Sequence, residues 1–347
     1  MATIGNSYLN LIDMYRAGGD NATAEVAEVL NRLSPVVRNA FTVEANKGTM
    51  HIHSIRTNLP AVTWGRLYQG IPQSKSGRAS VTDTTGFVEG LSTVDVRLLD
   101  ISPNAAAVRM GEAESFLESL RQEVESQFFY GDTGATPEKI KGLAARYNTS
   151  AAGTLNAASQ VVKAGGVGAN NTSVWFVNWS ENATHLIHPQ GTKMGIERQD
   201  KGEQRVYDAN NNPYYVKEEL FRWHLGVAVR DWRYNARIAN IDVTNLAAGT
   251  VDIYSFMRKA FYKLQGRFQT SMKDGSGRIN DNASVEGRGV IYMNRTVLEA
   301  LDATQTNSGN AALFLKPMEL EGRTVDSYRG IPIEVTDAIL NTESLVP

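Results

Sequence analysis

Apolar positions first recur at helical spacing at Val26, Val29, Leu30 and Leu33, predicting an amphipathic helix from Thr23 to Leu33 that Ser34-Pro35 stops. Polar turns flank it, Gly18-Gly19-Asp20 before and Glu44 to Gly48 after, so residues 1–48 read as an arm that must pack on something else. From Met50 to Ile101 the period changes to that of strands. Val94, Val96 and Leu98 alternate with Asp95 and Arg97, and Ala61 to Tyr68 is rich in β-formers. Between these runs Pro72 to Gly86 is almost wholly small and polar, which predicts a long hairpin reaching away from the body.

Ser102-Pro103 opens the strongest helical pattern of the chain. Val108, Ala113, Phe116, Leu117, Leu120, Val124 and Phe128 form one stripe, and Glu112, Glu114, Glu118, Arg121, Glu123 and Glu125 occupy the other faces until Gly131. At 1.5 Å per residue this helix is about 40 Å long. Its single stripe predicts a helix lying across a sheet. After a turn-rich stretch from Pro137 to Gly142, the Asn/Ala/Gly/Ser-rich segment Asn148 to Ser173 carries little hydrophobic mass and reads as a surface excursion. Strands are expected at Val174–Val177, Tyr214–Val216, Leu225–Trp232, Gly289–Met293 and Ile331–Val335, and helices at Ile253–Leu264 and Arg295–Ala303. The sum is α+β without a regular βα repeat or an internal repeat.

Composition narrows the classes. At 347 residues and 42% hydrophobic content the chain can build a real core. Lys plus Arg is 35 against 37 for Asp plus Glu, a net charge of −2, so no global basic field draws it onto nucleic acid or anionic lipid. The absence of Cys excludes disulfides, a thiolate nucleophile and Cys-based metal sites. With neither a signal-like N-terminus nor a membrane-length apolar run, the default address is the cytoplasm of the cell that makes the protein.

Candidate chemistry is sparse. His51-Ile-His53 places two imidazoles on one face of a strand, the spacing that metal-dependent amidohydrolases use, and His185, His188, His224 and Asp231 are the residues that would complete such a site. That hydrolase reading is the alternative to a structural role, and it requires a (β/α)₈ barrel that the first half of the chain does not spell. His185 and His188 precede Pro189 with no Glu between them, so a solvated turn is expected there. No phosphate-binding, dinucleotide-binding, nucleophile-elbow or zincin motif occurs. Glu114 and Glu118, one turn apart, read as the solvated face of a helix, and Trp175, Trp179, Trp223 and Trp232 as core or subunit-contact aromatics.

An arm, a polar hairpin and a long one-sided helix each leave groups that need a partner chain. Their order resembles the major capsid protein of tailed bacteriophages, the Hong Kong 97-like fold, with its N-terminal arm, extended loop, spine helix in a peripheral domain, and axial domain. The passage Glu-Val-Glu-Ser-Gln-Phe-Phe-Tyr-Gly131-Asp132, then Pro137 and Gly142-Leu143, resembles the stretch after the spine helix in these proteins. Val290 to Leu301 is similar to their strand-Asn-helix element around Asn294, and Gly330-Ile-Pro332-Ile to their Gly-hydrophobic-Pro-hydrophobic strand. One departure is that fifteen residues follow Pro332 and the candidate return strands, Leu225 to Ile238, precede it, which leaves a rearranged connectivity open.

The resemblance implies an arm at 1–48, an extended-loop hairpin with flanking strands at 49–101, and the spine helix at 102–140. It implies axial residues at 141–220, return strands and a helix at 221–280, and an axial strand-helix-strand at 281–347. It further implies pentamers and hexamers of an icosahedral shell around double-stranded DNA, contacted without sequence reading, and residence in the virion after assembly in the host bacterial cytoplasm. Portal, scaffolding and decoration proteins are the partners it brings; no membrane, cofactor, metal or catalytic residue is implied. Inter-subunit contacts are expected at Trp64, Arg66, Tyr68, Lys75 and Arg78 and at Phe116, Leu120 and Phe128 on the spine stripe. Lys75 lies in the loop where some members form an isopeptide crosslink, but its Asn and Glu partners are not identifiable from the sequence.

Overall fold

A computed structural model describes residues 34–151, 153, 156–192, 195–264, 287–307, 315–320 and 323–347. The helix expected at Thr23–Leu33, and with it most of the arm, lies outside these residues. In chain order the elements begin with α1 (Pro35–Asn39), β1 (Thr42–Glu44), β2 (Met50–Asn58), β3 (Gly77–Asp95), α2 (Val96–Ile101) and α3 (Ala105–Tyr130). Next come β4 (Val161–Lys163), β5 (Asn171–Trp179), β6 (Thr184–His188), β7 (Ile196–Tyr207), β8 (Pro213–Val229) and β9 (Ala236–Asp242). The last are α4 (Val243–Ala247), α5 (Ile253–Lys263), β10 (Arg288–Met293), α6 (Arg295–Asn307), β11 (Leu315–Leu320), β12 (Arg323–Tyr328) and β13 (Ile331–Val335). The chain divides into two compact units, one from Phe87–Glu125 and Lys193–His224 and a larger one from Pro35–Gly86, Ser126–Thr192 and Leu225–Pro347.

The larger unit is organised on β5. It pairs antiparallel with β9 and β10, while β10 runs parallel to β13. Every residue of β5 is buried, so it reads as a continuous apolar run with both faces covered. Val174 and Phe176 face one layer with Ile253, Met257 and Ala260 of α5 and Val297 and Leu301 of α6. The residues between them point the other way. There Trp179 stacks on Phe128 (ring centroids 5.3 Å apart), Phe129 meets both Trp175 and Tyr292, and Trp179 Nε1 donates to the Tyr292 hydroxyl at 2.9 Å.

The chain turns away from α3 by a close backbone crossing. Gly142 donates its N–H to Gly131 O at 2.8 Å, and Leu143 and Ala144 donate to Phe128 O and Phe129 O, satisfying carbonyls the helix end leaves open. A Cβ on Gly131 would lie 2.2 Å from Ile140 O, and one on Gly142 2.6 Å from Gln127 O, so only hydrogen fits at either position. Asn294 joins β10 to α6: its side chain accepts from Thr296 N and donates to Ile339 O at 2.6 Å. The β12–β13 turn places Arg329 and Gly330 at φ 53° and 83°, as a tight two-residue hairpin demands.

A charged group is buried beside β5. Arg237 on β9 stacks over Trp175 at 4.7 Å, donates to Tyr147 O and Ser173 Oγ, and pairs with Glu343 at 2.8 Å, both charged side chains being almost fully covered. Glu343 also accepts from Tyr130 and Ser173. The segment after it is tied down by Asn240, which exchanges two hydrogen bonds of 2.9 Å with the backbone of Val346.

In the smaller unit Phe221 of β8 stacks on Phe116 of α3, with Ala113, Leu120, Val88 and Ile196 around them. Gly90 lies beneath the Phe116 ring, where a Cβ would sit 2.9 Å from it. Buried Glu219 takes Arg109 and Arg198, and a second cluster joins Val94 to Leu98 and Leu99.

Several sequence expectations are corrected. Ala61–Tyr68 forms no strand, whereas the polar residues from Gly77 onward do, because backbone pairing to β2 needs no large side chains. The alternation Val94, Val96, Leu98 does not continue a strand: the Asp95 side chain accepts from Arg97 N and starts α2. α3 begins after Asn104, whose side chain accepts from Ala107 N, rather than at Pro103. Asn148–Ser173 is not a surface excursion, since Val161, Val162 and Asn171–Ser173 are buried. Tyr214–Val216 and Leu225–Trp232 belong largely to one strand, β8, whose partner β7 has no hydrophobic pattern because most of its residues are exposed.

Two stability outcomes follow. Arg237→Ala leaves the Glu343 carboxylate buried without its cation and is expected to cost about 3–5 kcal/mol, read as a lower denaturant midpoint. Phe128→Ala should cost about 3–5 kcal/mol and half-buried Phe116→Ala clearly less, as measured by the same unfolding curves.

Candidate functional site

The most exposed apolar surface sits at the end of the β2–β3 ribbon. The strands pair antiparallel from Met50↔Thr84 to Asn58↔Gly77, and the Asn58 side chain accepts from Gly77 N to close the ladder. Residues 59–76 then form a loop with no strand, bracketed by Pro60 and Pro72, which cannot donate to a ladder. Ser74 Oγ donates to Ala61 O at 2.7 Å across its base, and Arg66–Gln69 makes a turn with Tyr68 at φ 62°, a conformation a bulky residue rarely adopts.

This loop holds Leu59, Val62, Trp64, Leu67, Tyr68 and Ile71, all exposed, with Trp64 at 99% and Tyr68 at 106% of full accessibility. Single exposed apolar residues are ordinary; six in thirteen positions, including two large aromatics, make an unusually dense apolar surface. Its charges are all of one sign: Arg66, Lys75 and neighbouring Arg78 are exposed, and no acidic residue occurs from 59 to 80.

Five of the eight expected contact residues, Trp64, Arg66, Tyr68, Lys75 and Arg78, are thus brought together on this loop and the first residues of β3. The other three lie elsewhere. Leu120 and Phe128 are buried within the chain, and Phe116 is half-buried on Phe221, so their apolar area is spent in the chain's own packing. Leu59, Val62, Leu67 and Ile71, exposed on the same loop, were not among the expected contact residues, since Ala61–Tyr68 read as a run of β-formers.

The histidines gather in part. His51 on β2 lies beside His53 on the same strand and meets His185 on β6, with ring centroids 6.1 Å apart for His51 and His53 and 5.2 Å for His51 and His185. His185 is therefore buried in a strand and not in a solvated turn. His224 packs against Phe87 in the smaller unit, His188 faces its neighbour's carbonyl, and Asp231 is engaged by Arg233 at 2.5 Å. Among the described residues no three His, Asp or Glu side chains are arranged to hold a metal ion. Among the described residues the amidohydrolase reading finds neither its ligand set nor its barrel.

Buried Asp83 on β3 accepts from Arg146 at 2.7 Å, while its other oxygen stands 3.9 Å from His53 Nδ1. Burial lowers the pKa of all three histidines, and that of His185 falls to about 4. Asp83 opposes the shift in each case but is already paired with Arg146.

Comparison with known proteins agrees with this architecture. The family model described as "Major capsid protein GP7" matches residues 18–347. A chain in the near-atomic-resolution cryo-EM structure of bacteriophage epsilon15 is 32% identical, with 100% of this chain and 99% of that chain covered and a TM-score of 0.72. The capsid of the native GTA particle is 12% identical over 58% of this chain and 88% of its own, at a TM-score of 0.42. The SrpI encapsulin of Synechococcus elongatus PCC 7942 is 12% identical over 68% and 97%, at 0.41. No curated protein matches the sequence. With an α+β fold of the Hong Kong 97-like phage capsid type and a family match over nearly its whole length, the chain belongs to the GP7 major capsid protein family, structural proteins of the phage virion shell.

Proposed function

We propose that the chain closes its shell as pentamers and hexamers in which loop 59–76 of one copy seats on the next. The observation that carries this reading is the solvated apolar loop itself. Burying a large apolar side chain is worth roughly 1.5–3 kcal/mol, so six supply on the order of 10 kcal/mol per loop before the entropy of association is subtracted. Trp64 and Tyr68 are the anchors, as large aromatics at contact centres usually are. Arg66, Lys75 and Arg78 set the register by meeting acidic surface on the neighbour, such as the Glu114 and Glu118 face of its α3.

In this reading the loop lies within an extended-loop region at 49–101, preceded by an arm at 1–48 and followed by a spine helix at 102–140. Axial residues fill 141–220 and 281–347, with return strands and a helix at 221–280 between them. A portal and a scaffolding protein are its partners, with a decoration protein as a further one. Packaged double-stranded DNA is met without sequence reading, since a net charge of −2 confines attraction to local patches. The role is mechanical and assigns no side chain to catalysis.

Trp64→Ala and Arg66→Glu should each leave the subunit's unfolding midpoint within about 0.5 kcal/mol of wild type, because neither side chain is buried in the chain. Both should abolish closed particles when the protein is expressed with its neighbouring genes and examined by sedimentation and electron microscopy. Shells at wild-type yield from both variants would remove the loop from the assembly contact.

A further inference from the structure

The histidine cluster at the root of the ribbon is not used by any contact proposed above, and its placement is costly. His53 is almost fully buried, and its Nε2 faces Val229 O at 3.1 Å, which fixes the ring proton on that nitrogen and leaves Nδ1 bare. The Nδ1 atoms of His51 and His53 are buried without a hydrogen-bond partner, and the two ring nitrogens of His185 are buried with only the Ser180 backbone, short of good hydrogen-bond geometry, to favour a proton. His51 thus stands between His53 and His185, with little to solvate a second proton on any of the three imidazoles.

The surrounding charges come from every side. β3 contributes Asp83, the segment after α3 contributes Arg146, the end of β8 leads to Arg230, and the β5–β6 turn carries Glu181. Arg146 donates to Asp83 Oδ1 and also to Val227 O at 2.9 Å, so the one buried carboxylate is largely neutralised by a fixed guanidinium. On β8, Gly226 passes so close to β3 that a Cβ would stand 2.7 Å from Thr84 O. The cluster thus occupies the place where β2 and β3, which carry the loop, meet β6 and β8.

We propose that His51, His53 and His185, gathered around the Arg146–Asp83 pair, are an acid-operated latch: uncharged, they hold the root of the β2–β3 ribbon on β6 and β8, and protonation releases it. The direction follows from linkage. Each histidine has its pKa lowered in the closed arrangement from an ordinary value of 6.5, so the open arrangement binds more protons between the two values. The hold is complete above about pH 6.5, weakens as pH falls, and is flat again below the closed-state values. For His185, a drop from 6.5 to about 4 corresponds to an opening equilibrium shifted about 300-fold. The latch is a property of the subunit and stands whether or not the loop docks as proposed.

Amide hydrogen exchange on the full chain as purified subunits, at pH 7 and about pH 4.5 with rates referred to intrinsic exchange at each pH, tests it. The expected result is a loss of protection at residues 50–58 and 77–86 of about 100-fold or more at the lower pH, while β5 and β10 keep theirs. His185→Phe retains a ring without a titrating nitrogen and should remove most of that difference while leaving the pH 7 pattern unchanged. Half-buried His51→Gln serves in its place if that variant does not fold. Ribbon and β5 losing protection together, or the variant keeping the full acid effect, would overturn the latch.

Discussion

A cation in the middle of an apolar layer is the constraint on which the larger unit is built. The Arg237 guanidinium lies over Trp175 and is almost wholly removed from solvent. Its neutralisation requires Glu343 from the last turn of the chain, Ser173 from β5 and the Tyr147 carbonyl from the segment after α3. Tyr130, which donates to the same carboxylate, is the final residue of α3. Four stretches distant in sequence are therefore positioned by one guanidinium, and each must be in place before the charge is tolerable. The tyrosine hydroxyls pay for this with raised pKa values, that of Tyr130 being driven up by burial and then by the Glu343 charge.

The loop obeys the opposite rule. Inside the larger unit every residue of β5 is removed from water, and even Trp175 and Tyr292 are fully covered. At 59–76 the same residue types stand exposed, with no packing partner among the described residues. The described residues thus pair a fully covered core with six exposed apolar side chains at 59–71, the division between folding and association on which the proposed contact rests.

What could be read from the sequence follows the same division. The α3 stripe was legible because Ala113, Leu120, Val124 and Phe128 recur at helical spacing and are buried in that order. The Gly131, Gly142, Asn294 and Gly330 motifs were legible because each answers a backbone demand: a crossing without room for Cβ, a cap, and a left-handed turn. β7 was illegible, since a strand with most residues exposed on both faces has no period-two signal. The loop was misread in conformation, because Trp64 and Tyr68 suit a strand by propensity and only Pro60, Pro72 and the absence of a pairing partner among the described residues decide otherwise. The histidine cluster was legible in part: His51 and His53 share a strand face, but His185 joins them only through sheet pairing more than a hundred residues away.

The bracketing of the loop has a consequence for the docking proposed above. Pro60 and Pro72 fix two backbone torsions, the Ser74–Ala61 hydrogen bond ties the two limbs together, and the Arg66–Gln69 turn sets the direction of Trp64 and Tyr68 before any encounter. Each residue held in its bound conformation beforehand spares an ordering cost of about 1 kcal/mol at docking. In the docking proposed for the loop, that saving would recur at every subunit added to a closed lattice.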